Sequence, residues 1–212
     1  MECNCCGFDD EFNSKSAQKE LASYRKNGPK ASTKLLIDFF KQHDITDYSL
    51  LDIGGGVGAI QFELMKLGIA QVCNVDAAGA YLKVALQEAE KRNVASEISF
   101  FKGDFVALSA EVDNADIVTL DKVICCYEHM ANLVEESINK ARKYYAIVIP
   151  QDKWWVKWGH SIGESFRKLK GDPFRSYIHP VAEIEKLISN SKFSKAYETT
   201  QFHWLIQVYE RD

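Results

Sequence analysis

The sequence predicts an α/β protein: a single seven-stranded, mostly parallel sheet with helices on both faces and an antiparallel strand pair at its C-terminal edge. Three observations predict it. Short apolar runs alternate with amphipathic stretches along the chain, the order that builds a parallel sheet with helical crossovers. The first apolar run ends in an acid and a glycine-rich turn, Asp52-Ile53-Gly54-Gly55-Gly56-Val57-Gly58, which opens a helical segment. The last two runs, 195–200 and 202–209, leave no room for a crossover helix and must pair antiparallel.

Taken in order, residues 14–26 read as a helix with Leu21 and Tyr24 on one face, Ser14 or Ser16 as cap and Asn27-Gly28-Pro29 as stop. A second helix over 32–43 carries Leu35, Leu36, Phe39 and Phe40 as an apolar stripe for the sheet. Strand 50–53 follows, then the glycine turn and a helix over 59–67 that Gly68 ends. The second strand is 71–76. The next helix, 78–92, points Leu82, Ala85, Leu86 and Ala89 at the sheet. Further strands are read at 98–102, 115–120 and 146–150, and Pro180 opens a helix over 181–189. Between the fifth strand and that helix, residues 151–179 form an insertion rich in Trp154, Trp155, Trp158, Phe166, Phe174 and Tyr177. Such aromatic surface at the carboxyl edge of a sheet is expected to wall a pocket for a flat acceptor, or else to pack in the core or a dimer contact.

The turn narrows the ligand. Dinucleotide folds use G-x-G-x-x-G to bring a pyrophosphate to a helix N-terminus. Here the spacing is D-x-G-x-G-x-G, and Asp52 at the strand end repels a pyrophosphate but suits an ammonium. Asp76 ends the second strand, 18 residues after Gly58 (76 − 58), where a carboxylate can accept both hydroxyls of a ribose. Asp104 and Phe105 follow the third strand. Three acids at three successive strand ends resemble the motifs of the Rossmann-like class I S-adenosylmethionine-dependent methyltransferases. That resemblance implies cofactor binding by Asp52, Gly54, Gly56, Gly58, Asp76, Asp104, Phe105 and Asp121, with Asp104 accepting from the adenine amino group and Phe105 flanking the ring. It also implies that the leading helices of residues 1–43 act as a lid, with Tyr24 and Arg25 reaching the cofactor.

Several later segments are similar to a bacterial group resembling magnesium-protoporphyrin O-methyltransferases: Tyr24-Arg25-Lys26-Asn27-Gly28, Leu120 to Tyr127, Trp154-Trp155, and Pro173 to Pro180. The resemblance covers most of the chain. One departure is Glu128-His129 where that group has Pro-Asp. The activity implied is methyl transfer from S-adenosylmethionine, leaving S-adenosylhomocysteine (SAH), to a small planar or apolar molecule with an oxygen nucleophile. A carboxylate acceptor needs no base. A hydroxyl does, and His129, Tyr127 and His179 are the candidates by position. The alternatives are a non-catalytic cofactor-binding module and a protein-directed methyltransferase.

Bulk properties set outer limits. The 212 residues suit one domain spanning 1–212. A net charge of −4 offers no basic field for nucleic acid. No apolar run is long enough to cross a membrane, and Met1-Glu2-Cys3 does not begin a secretory signal, so a cytoplasmic location with reduced thiols is expected. Cys3, Cys5 and Cys6 crowd the N-terminus but lack the second ligand pair of a structural zinc site, so no metal is expected. Oligomeric state is not legible.

Overall fold

The computed structural model describes residues 11–172 and 174–212. Cys3, Cys5 and Cys6 lie outside them. Fifteen elements position the site. They are α1 (Ser14–Asn27), α2 (Ala31–Phe40), β1 (Ser49–Ile53), α3 (Ala59–Met65), β2 (Gln71–Asp76), α4 (Gly79–Lys91), β3 (Ile98–Lys102), α5 (Phe105–Leu108), β4 (Ala115–Asp121), α6 (Met130–Lys140), β5 (Ala141–Pro150), α7 (Trp154–Leu169), α8 (Val181–Asn190), β6 (Phe193–Gln201) and β7 (Trp204–Arg211).

One seven-stranded sheet runs in the order β3-β2-β1-β4-β5-β7-β6. β1 to β5 are parallel, while β7 pairs antiparallel with both β5 and β6. Chain order reverses between β1 and β4, so their carboxyl ends frame the crevice where open sheets bind ligands.

The period of two along each strand divides the core. Leu50, Ile117, Tyr144, Ala146 and Val148 face one side, packing with Leu21 and Tyr24 of α1, Leu36 and Phe40 of α2, and Ile60 and Phe62 of α3. Their neighbours Leu51, Val118, Tyr145 and Ile147 face the other, with Leu133, Val134 and Ile138 of α6 and Ile184 and Ile188 of α8. Each such aliphatic burial contributes about 1.5–3 kcal/mol. Among the described residues α7 gives nothing to either cluster.

Three details depart from the expectations. Asn13, not a serine, caps α1, its Oδ1 accepting from the backbone amides of Lys15 and Ser16 at 3.1 Å. Leu86 is 39% exposed, since Tyr81, Leu82, Val84, Ala85 and Ala89 fill the inward face of α4. Helix α6 was not foreseen, although Met130, Leu133, Val134 and Ile138 repeat at helical spacing.

Candidate active site

At the crevice lies a cavity of about 580 Å³ lined by the glycine turn, all four strand-end acids and one face of α1. The turn needs its glycines. Gly54 has φ +64°, and a Cβ there would strike the Val123 side chain. At Gly58, φ +84°, a Cβ would lie 2.5 Å from Gln61 Nε2 and 2.7 Å from Phe62 Cε2. Gly56 differs, because its Cβ would meet nothing nearer than Tyr81 at 3.7 Å. It borders the open cavity, leaving its backbone bare for a ligand to lie against.

Asp52, 1% exposed, is the buried end of this site. Its Oδ1 accepts from Thr119 Oγ1 at 2.6 Å, while Oδ2 has no partner among the described residues. Burial pushes its carboxyl up to about 7, with the neighbouring charges of Asp121 and Asp76 adding to the rise. A buried acid with an unmet lone pair beside a cavity is a place where a cation would be favoured. Asp76 accepts from Gly56 N at 2.9 Å and Ala78 N at 2.8 Å, one bond per oxygen, which leaves a lone pair on each for a diol. Burial raises its pKa and those two amides pull it back.

Asp104 caps α5 through Val106 N at 3.0 Å and accepts from the Tyr127 hydroxyl at 2.9 and 3.0 Å. Phe105 is 4% exposed beside it. Across the crevice Asp121 accepts from Lys122 Nζ at 2.7 Å and from Thr33 Oγ1 at 2.5 Å, and Lys122 Nζ donates to Thr33 Oγ1 at 3.1 Å. That triangle ties α2 to the end of β4. Lys122 holds φ +66°, a conformation that costs a non-glycine residue of order 1 kcal/mol and here turns the chain sharply after β4.

The structure therefore gathers Asp52, Gly54, Gly56, Asp76, Asp104, Phe105, Asp121 and Tyr24 around one cavity, with Gly58 shaping the turn behind it. Arg25 is not part of the lining. Its guanidinium points away and pairs with Glu88 of α4, Nη2 to Oε2 at 2.5 Å. Lys19, Glu20 and Ser23 border the cavity instead. Tyr24 donates to Glu63 at 2.7 Å.

A second cavity of about 420 Å³ opens between α7 and the β6–β7 turn, lined by Trp155, Tyr177, Phe202, His203 and Trp204 among others. The two share a wall. Lys122 and Cys126 face the first cavity and Cys125 the second, while Lys122 Nζ sits 5.3 Å over the Trp204 ring. Of the three candidate bases, none lines this second space. Tyr127 lies in the first cavity against Asp104; His179 Nε2 is 2.8 Å from the Tyr127 carbonyl; His129 is exposed at the start of α6. Two histidines that sequence reasoning missed do line it. His203 is held below the usual imidazole range by burial and by the Lys122 charge. His160 Nε2 is 2.9 Å from Ser176 Oγ, which donates to Glu164 Oε1 at 2.8 Å. Trp154 and Trp158 face solvent and line neither cavity, contrary to the pocket expected of them.

Residues 51–143 match the family model described as a methyltransferase domain. That match covers the glycine turn and the four acids. The fold is the Rossmann-like methyltransferase fold. Solved structures of that fold hold S-adenosylmethionine or SAH, and the bare Gly56 and the buried carboxylate of Asp52 fit such a ligand. A magnesium protoporphyrin IX methyltransferase from Synechocystis PCC 6803, with bound SAH, superimposes at TM-score 0.75 with 19% identity, covering 97% of this chain and 98% of that one. An O-methyltransferase family 2 protein from Planctomyces limnophilus, in complex with apigenin, reaches 0.68 with 17% identity over 94% of this chain and 62% of that one. Ribosomal protein L11 methyltransferase of Psychrobacter sp. (strain PRwf-1) is 26% identical over 125 residues, 58% of this chain. The matched stretch spans 37% of that relative's length.

Proposed function

We propose that the chain transfers a methyl group from S-adenosylmethionine to a small planar or apolar acceptor carrying an oxygen nucleophile, held in the second cavity. The observation that carries this is the aromatic space sharing the 122–126 turn with the cofactor cavity. Its size and apolar lining suit a small molecule. The magnesium protoporphyrin and apigenin of the two structural neighbours are planar molecules of that general kind.

When bound, the cofactor supplies a methyl group on a sulfonium, already electrophilic. The chain's task is to bind, orient and exclude water. Asp52 takes the ammonium, Asp76 the ribose hydroxyls, and Asp104 with Phe105 the adenine. Tyr127 acts as a positioning residue, its hydroxyl fixing the Asp104 carboxylate. Where the acceptor is a hydroxyl, His203 takes its proton, because its lowered pKa keeps a ring nitrogen free near neutral pH. A carboxylate acceptor needs no such step.

The test separates the two cavities. Trp155→Ala is expected to raise the KM for a planar phenolic or carboxylic acceptor while leaving the Kd for SAH unchanged. A change in SAH affinity with unaltered acceptor KM would contradict the assignment of the second cavity.

A further inference from the structure

Among the described residues, helix α7 is the long helix that the fold leaves most uncovered. Only Val156 of its sixteen residues is buried. Trp154, Trp158, Ile162, Phe166 and Leu169 are 79, 68, 41, 61 and 83% exposed. Their spacing of four, four, four and three residues puts them in one arc of about 120° along the helix. Phe202, 76% exposed on the β6–β7 turn with its ring 5.8 Å from Trp155, extends the apolar surface beyond the helix.

Charge decides what covers this face. Segment 153–170 holds Lys153, Lys157, Arg167, Lys168 and Lys170 against the single acid Glu164, a local +4 on a chain whose net charge is −4. Arg167 is tied to Glu11 and Asp172. The four lysines are exposed and make no ion pair among the described residues. A second copy would set the same cationic segment against this one. An anionic surface complements it.

We propose that α7 docks the protein on an anionic lipid bilayer, with Trp154, Trp158, Phe166 and Leu169 entering the headgroup–acyl boundary while the lysines meet lipid phosphates. Apolar face, flanking lysines and aromatic residues at the contact are what an in-plane interfacial helix requires. Among the described residues no helix is long and apolar enough to cross a membrane, and the contact proposed is one in the plane of the surface. The inference is independent of the transfer chemistry.

The test is co-sedimentation of the full chain with vesicles of phosphatidylcholine alone or mixed with phosphatidylglycerol. Binding is expected to rise with phosphatidylglycerol, fall with salt and shift tryptophan emission to the blue. The double variants Trp154→Ser/Trp158→Ser and Lys157→Glu/Lys168→Glu should each lower the partition coefficient about tenfold or more, with Tm and SAH affinity unchanged. The proposal is overturned by a chain that stays in the supernatant at every composition, by binding indifferent to phosphatidylglycerol or to both variants, or by a dimer that the tryptophan variant dissolves.

Discussion

Asp52 shows how a residue legible in the sequence acquires its chemistry only from the fold. Its place before the glycines marks it as a ligand-binding acid, yet the burial that pushes its carboxyl to about 7 and its bond to Thr119, 67 positions away, come from β1 lying beside β4. The sign of the consequence follows. In the free protein Asp52 is neutral below about pH 7, and a cationic ammonium favours its ionised form. Cofactor binding should therefore release a proton and tighten as pH rises through 7, by up to about tenfold per unit below that value. Calorimetry in buffers of different ionisation enthalpy reads the released proton directly. Because the folded pKa lies above the unfolded value of about 3.9, the charge costs stability increasingly from about pH 4 to 7. Asp52→Asn should thus bind SAH more weakly yet melt higher than the ligand-free parent at pH 8. A lower Tm would contradict the cost of the buried charge. His203 offers a second residue-scale test: with a hydroxyl acceptor, His203→Gln should lower kcat by about 10²-fold or more. An unchanged kcat would remove it from the proposed role.

At the scale of elements, α1 shows how tertiary contacts decide what a helix end does. The Gly28-Pro29 junction suggests a hinge, and Tyr24-Arg25 a pair reaching for the cofactor. In the fold α1 is docked by Ala17, Leu21 and Tyr24, by the Tyr24–Glu63 hydrogen bond and by Arg25 on Glu88. Which way a basic side chain points at a helix end depends on the partner across the interface, and Glu88 lies 63 residues on. Arg25→Ala leaves Glu88 paired with Arg92, and Arg25 is 43% exposed, so the loss should stay below about 1 kcal/mol with SAH affinity unchanged. A large loss of SAH affinity in calorimetry would return Arg25 to the site. Helix α6 is legible from the period of Met130, Leu133, Val134 and Ile138. The burial pattern of α7 was not legible, since the aromatic residues that fill a pocket and those that coat a surface are written alike until the neighbouring strands are placed.

For the molecule as a whole, the seven-stranded, mostly parallel sheet and its antiparallel C-terminal pair could be read in advance because alternating apolar runs and a short last connection are local signals, whereas the strand order comes from pairings between distant segments. The second cavity could not. It is assembled from Cys125, Trp155, Tyr177 and His203, which lie on four separate segments brought together only when β7 inserts beside β5. The central claim is that the crevice between β1 and β4 is built for S-adenosylmethionine through its strand-end acids. Titration calorimetry with SAH on the parent chain and on Asp76→Ala tests it most directly. One site per chain is expected in the parent, with binding weakened by about 1.5–3 kcal/mol in the variant through loss of hydrogen bonds to a charged acceptor. No heat of binding in a folded parent, or equal affinity in the two proteins, would contradict it.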